Sequence, residues 1–359
     1  MASLQQIAGA SALIGLITKI RSGIPTGILP EGFWNIVRNI TGDSGTYERV
    51  EGTRQTARQA HYGSPSQRRN LIGLSDQPCR LIHAIEHILH NTAVLVQLLS
   101  DKTDVQALGE QEIARQTRIF KQRFANLRLG AVYSMLANGA IYFDSEGNLL
   151  PSSSGAAVTV DFAVPAANKD QLGGIIGASW ATAGTDIVGD VSAIKLAAIQ
   201  GTGYPITTAF YGKNILALLL GNTVIKALID NSNSMTETVA AGEIPKGLLG
   251  LDWKPVLTAH YVDDDGTTQE FFDGDNITFT PDVGPDWYEM LIGSYPVPRS
   301  VDQTHADAES AVADIMIATG MFSFATREKD PVTIKQIAGD TFLPVLKVPA
   351  AIYIAHTTP

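Results

Sequence analysis

The chain of 359 residues holds one cysteine, Cys79, so it has no internal disulfide framework and no metal site built on thiols. That usage fits a reducing compartment. Lysine is missing between Lys19 and Lys102. Charged residues make up only 17% of the chain and hydrophobic ones 45%, with 33 Gly and 17 Pro, which excludes a disordered chain and leaves material for one large core or two modest ones. Long apolar runs are also lacking. Residues 1–18 carry no charge, but Gln5, Gln6, Gly9, Ser11 and Gly15 interrupt them and no basic stretch precedes them. Neither a signal peptide nor a membrane span is therefore expected, and Ile7 to Ile20 reads either as a short helix that docks on a neighbour or as a loose arm. There is no internal repeat.

Charge is unevenly spread within a net of −10. Residues 1–130 hold 15 Lys and Arg against 10 Asp and Glu, giving +5; the rest hold 11 against 26, giving −15. The two halves attract each other, either within one chain or head to tail between copies. The acidic total argues against tight, sequence-independent binding of nucleic acid.

The strongest periodic signal runs from Gly109 to Asn138. Ile113, Thr117, Phe120, Phe124, Leu127, Ala131 and Met135 recur at steps of three and four, which predicts one long helix with a narrow apolar stripe. Arg115, Arg118, Lys121, Arg123 and Arg128 are expected to keep its other face in water, and Asn138-Gly139 to stop it. A stripe so narrow on a rod so long suggests packing on a thin sheet.

Before this spine, residues 21–42 read as an extended arm with an anchoring turn at Phe33, Trp34, Ile36 and Val37. Gly45 to Gln77 is polar and rich in arginine, with no evident core face, and is expected to project from the body. Pro78 to Leu99 reads as a second helix, capped near Ser75 or Asp76. After the spine, strands are expected at Ile141–Phe143, Val158–Val164 and Ile206–Tyr211, and helices at Asp186–Gln200 and Lys213–Asp230. The last third reads as mainly β. Leu257–Val262 and Thr268–Phe272 form a hairpin across Asp264-Asp265-Gly266, and Ile277–Thr280, Met321–Ala325 and Ala351–His356 add strands. Helices and strands without regular alternation give an α+β fold class.

Candidate chemistry is sparse. His83-Ala-Ile-Glu86-His87 fits the H-x-x-E-H pattern, which on a helix would place both imidazoles one turn apart and suit a zinc-dependent hydrolase. No third ligand stands out, and helix-surface histidines need no metal. Gly177-Ala-Ser179-Trp180-Ala181 lacks the second glycine of a nucleophile elbow. Gly173, Gly174, Gly177, Gly201 and Gly203 complete no phosphate-loop pattern and are read as turns. A calcium loop around Asp263-Asp264-Asp265-Gly266 would need carboxylates where Tyr261 and Phe272 stand. No cofactor is expected.

The run Trp180, Thr185-Asp186-Ile187, Val191, Ile194, Thr202-Gly203, Pro205, Gly212, Leu216, Leu219 and Asn222 resembles the major capsid proteins of tailed bacteriophages, in particular the lambda-type head protein E group. Tyr261 to Thr280, Asp330-Pro331 and Leu343-Pro344-Val345 are similar to the C-terminal half of that group. The resemblance implies a Hong Kong 97-type shell fold with the following domains: an N-terminal arm, 1–42; an extended loop, 43–77; a peripheral domain, 78–165 and about 301–340; and an axial domain, 166–300 and 341–359. It implies a virion protein that builds an icosahedral head of hexamers and pentamers around packaged DNA, touches that DNA only non-specifically, and is assembled in the host bacterial cytoplasm. The implied partners are further copies of itself, a separate scaffolding protein, a portal and possible decoration, with no membrane. A cellular nanocompartment of the same fold is the nearest alternative. Trp34, Tyr47, Arg54, Arg58, Tyr62, Arg68 and Arg69 are the candidates for contact between subunits, because arm and loop lack a core of their own.

Overall fold

The spine is real and longer than its apolar stripe, running from Thr103 to Asn138 over 36 residues, roughly 54 Å at 1.5 Å per residue. The computed structural model describes residues 13–14, 16–17, 29, 32–50, 74–90, 92–98, 100, 103–172, 174–256, 260–262, 266, 268–299, 315–329 and 332–359. Ile113, Thr117, Phe120, Phe124, Ala131 and Met135 are all buried, as the stripe requires. Beyond Arg128 the helix is buried all round, from Leu129 to Ala137, and residues 129–138 carry no charge that would need water. Gly139, at φ 66°, ends it, and its N–H still donates to the Met135 carbonyl.

The spine lies on a five-stranded sheet organised around one long strand, Val332–Leu346. Ile82–His90 flanks that strand antiparallel along one side. Along its other side run Phe322–Lys329 and then Tyr288–Ile292, also antiparallel, with Val37–Asn39 parallel outside the latter. Pro344 is tolerated because the Gly293-to-Thr341 and Lys347-to-Trp287 bonds put its missing N–H on the side away from Tyr288–Ile292, where Ile82–His90 has already ended its pairing at Phe342.

The second core belongs to another five-stranded sheet, in the order Asp252–Pro255, Thr208–Tyr211, Asn276–Thr280, Tyr353–His356, Lys169–Gln171. Helices Ile187–Thr202, Ile215–Gly221 and Thr223–Asp230 bury Ile194, Leu219, Ile225 and Ile229 with its Ala209, Trp253 and Phe279. The sequence predicts one helix over Lys213–Asp230, but Asn222 divides it. Its side-chain oxygen accepts from the N–H groups of Val224 and Ile225, capping the second piece, and its amide donates to Thr185 O at 2.7 Å. The two cores meet where the spine ends: the Thr278 hydroxyl donates to Leu136 O at 2.8 Å.

Three expectations need correction. Pro78–Leu99 is not a helix: it holds the end of strand Leu74–Arg80, the whole of strand Ile82–His90 and then a short helix, Thr92–Leu98. Ile82, Ile85, Ile88 and Leu89 mimic helical spacing, but the ladder to Val332–Leu346 outweighs local preference. Gly45–Gln77 is not without a core face either. Ser44–Val50 and Leu74–Arg80 pair antiparallel into a ribbon, and Tyr47 on it is 7% exposed within the main core. Arg128, finally, leaves the solvent face of the spine and turns onto the sheet.

At the N-terminus, Leu13, Ile14, Leu16 and Ile17 are helical. Leu13 packs on Leu98, Ile113, Ala325 and Ile334 of its own chain, so the described part of this helix docks within the subunit, where a neighbour was expected. The anchoring turn is the short helix Gly32–Asn35, whose Phe33 sits edge-on to Tyr288 at 4.7 Å.

Candidate assembly surface

The zinc motif does not form a site. On a strand His83 and His87 point to the exposed face, whereas Glu86 points to the opposite face, where it pairs with Arg123 of the spine at 2.8 Å. His83 stacks on Tyr295 at 4.9 Å, its Nδ1 lies 2.9 Å from the Thr341 hydroxyl, and burial pushes its pKa down. Among the described residues no three His, Cys, Asp or Glu side chains come together as a metal site. Ser179 is equally occupied with structure: its hydroxyl accepts from Ala181 N and its carbonyl from the Thr185 hydroxyl, which shapes the turn beneath buried Trp180. Gly203 and Gly266 have φ of 85° and 80°, as turn glycines should; Asp263–Asp265 lie outside the described residues.

What the molecule presents instead are surfaces. The ribbon Ser44–Val50 with Leu74–Arg80 carries residues 51–73, which lie outside the described residues together with Arg54, Arg58, Tyr62, Arg68 and Arg69. Of the other two contact candidates, Tyr47 is buried in its own subunit and Trp34 is half-buried against the main core, so neither needs a neighbour for burial. The sequence reading missed two further surfaces. Ile85 and Leu89 on strand Ile82–His90 are 47% and 53% exposed. The hairpin Ser294–Pro298 with Ile315–Thr319 lays Tyr295, Val297, Met316 and Ala318 on the first sheet and turns Ile315 and Ile317 outward. Apolar residues on both faces of Ile82–His90 hide the first, and proline at 296 and 298 hides the second.

Between the ribbon base, the middle of the spine and the three-stranded sheet Ala140–Phe143, Leu149–Leu150, Val158–Asp161 lies a groove of about 1030 Å³. Asp144 on its wall accepts from the N–H groups of Glu146 and Asn148 and from the Asn148 side chain, which hold its carboxyl below the usual range, the side-chain bond most. The described residues contain no helix long and apolar enough to cross a membrane.

A long helix laid on one sheet, a second core of sheet and helices, and an outlying ribbon define an α+β subunit of the Hong Kong 97-type shell class. The fold is shared with the putative capsid protein of a prophage of Escherichia coli CFT073, at TM-score 0.53 and 13% identity over 96% of this chain and 98% of that one. It is shared too with a phage-related protein from Bordetella bronchiseptica RB50, at TM-score 0.52 and 12% identity over 98% and 97%. No curated protein matches the chain in sequence. The sequence profile of phage major capsid protein E matches residues 9–357, and the chain belongs to that family. It is a head-shell protein of the phage capsid, a role that favours neither a zinc hydrolase nor a cellular compartment.

Proposed function

We propose that this chain is a purely structural building block, without catalysis, whose copies close as hexamers and pentamers into an icosahedral head in the cytoplasm of a bacterial host. The match over residues 9–357 carries this reading. The occupied hydrogen bonds of Ser179 and the split faces of His83 and Glu86 support it chemically. The division into a peripheral and an axial domain draws support from the two cores, except that Tyr288–Ile292 and Phe342–Leu346, expected in the axial domain, pair in the sheet of the spine.

In this reading the scaffolding is a separate protein. A portal, possible decoration and non-specifically held DNA complete the particle. Expression of this chain with and without a scaffolding partner tests the scheme: regular heads are expected only with the partner, and uniform heads from the chain alone would contradict it.

We propose further that residues 51–73 are held to neighbouring subunits by charge pairs. With four arginines, one glutamate and no lysine, this stretch suits bidentate contact with carboxylates, which the rest of the chain has in excess.

A further inference from the structure

Resting on that assembly reading, the hairpin Ser294–Pro298 with Ile315–Thr319 carries an open strand edge that calls for a partner. In an antiparallel pair, one residue turns its N–H and carbonyl toward the facing strand and the next turns both away. The Gly320 N–H donates to the Gly293 carbonyl across the hairpin, and the Ser294 N–H donates outward to the Gly42 carbonyl. These two bonds fix the phase. Pro296 and Pro298, in step with Ser294, face outward, which is how one strand holds two prolines. Opposite them Ile315, Ile317 and Thr319 face outward on the other edge.

The two edges differ. Along Ser294–Pro298 proline removes two donors and Gly42 occupies the third. Along Ile315–Thr319 three N–H groups and three carbonyls line up, and among the described residues none of them bonds outside the hairpin. Ile315 and Ile317 are 43% and 68% exposed, and the strand carries no charge. An uncharged open edge of this kind is a template for one more strand.

We infer that strand Ile315–Thr319 pairs antiparallel with the same strand of a second copy, about a two-fold axis at Ile317. Such a contact is isologous, so one strand supplies both halves, and an uncharged strand meets no like charge in its own copy. An axis at Ile317 sets it against Ile317 of the partner subunit and sets Ile315 against Thr319 of the partner subunit. The three pairs exchange about six hydrogen bonds, and any shifted register makes fewer. Residues 300–314, which join the two strands beyond Ile315, hold four acids and neither Lys nor Arg. Antiparallel pairing sends the two acidic stretches to opposite ends, whereas parallel pairing would set them side by side. Growth then stops at two copies, because the outer edges of the joined sheet are the proline edges.

Cysteine pairing in heads co-assembled with a scaffolding partner tests this, starting from a Cys79→Ser chain. After air oxidation, Ile317→Cys should give a disulfide-linked dimer on a non-reducing denaturing gel, because Cα atoms paired in this way lie about 5.5 Å apart. Ile315→Cys and Thr319→Cys should each give no dimer alone and a dimer when mixed. Heads intact by electron microscopy without the Ile317→Cys dimer overturn the contact and leave the shell function standing; an edge covered by the same chain or by the scaffold gives this result. Dimers from Ile315→Cys alone overturn the antiparallel register. Absence of heads from the unaltered chain overturns the shell function itself. The backbone supplies a second arm. Ile317→Pro removes an outward N–H and no hairpin bond, so the subunit should melt as the unaltered one does, while its critical concentration for assembly rises at least about tenfold. Ile317→Thr keeps the N–H and should stay within about threefold. Equal effects of the two substitutions overturn strand pairing.

Discussion

Arg128 of the spine and Asp340 of the long central strand form a paired contact, Nε and Nη2 each donating to one carboxylate oxygen at 2.6 Å. The Asp340 side chain is fully buried and that of Arg128 is 19% exposed, with the guanidinium also 5.3 Å above the Phe342 ring. Loss of one partner strands the other. Arg128→Ala is expected to destabilise the subunit by about 3–5 kcal/mol in denaturant titration, while Arg128→Met with Asp340→Leu should recover most of that loss.

One residue before Asp340, Gly339 marks a close approach. A Cβ there would lie 2.5 Å from the Phe322 ring and 2.9 Å from the Ala84 carbonyl of the neighbouring strand. The ring can shift, but the carbonyl is held by the sheet. Gly339→Ala should therefore cost about 1–3 kcal/mol of thermal stability, although its backbone angles suit alanine.

Glu112 gives the spine a dependence on pH. Hydrogen bonds from Arg115, and then from Gln116, hold its carboxyl down to about 2 from an ordinary value near 4.5. A carboxylate with a depressed folded-state pKa stabilises fully above its unfolded pKa and loses that contribution as pH falls through the folded value. Glu112→Gln should thus be slightly less stable than the unaltered protein at neutral pH, and the two should converge by about pH 2. The exposed position limits the difference to no more than about 0.5 kcal/mol. Paired acid titrations followed by circular dichroism check it.

No lysine occurs from residue 20 to 101, so residues 51–73 have no amine for an isopeptide bond. Mature particles should run as a single subunit band on denaturing electrophoresis, and they should loosen in high salt as exposed pairs are screened. Arg68→Glu with Arg69→Glu should impair assembly and leave the circular dichroism of the subunit unchanged. A ladder of multimers would contradict this prediction.

The spine was legible because its period of three and four residues persists for seven positions, and the stop at Asn138-Gly139 is local chemistry. Helices Ile187–Thr202 and the pieces after Asn214 were legible for the same reason. Strand Ile82–His90 was not, because its apolar residues fall on both faces, and only pairing with a strand some 250 residues away decides its state. That strand, Val332–Leu346, is hidden in turn by Pro344, whose lost N–H harms nothing once the ladder on that side has ended. The groove was invisible in sequence. Phe124, Glu146 and Val158 come from three separate elements, and nothing local in any of them signals that they converge.

Closure of a shell is what this subunit is built for. Electron microscopy of purified protein co-expressed with a scaffolding partner tests it most directly, with sedimentation of the same sample. Closed particles of uniform diameter, sedimenting far ahead of the free subunit, are the predicted result. A chain that stays monomeric across concentration and salt, with no particle on any grid, would contradict the account.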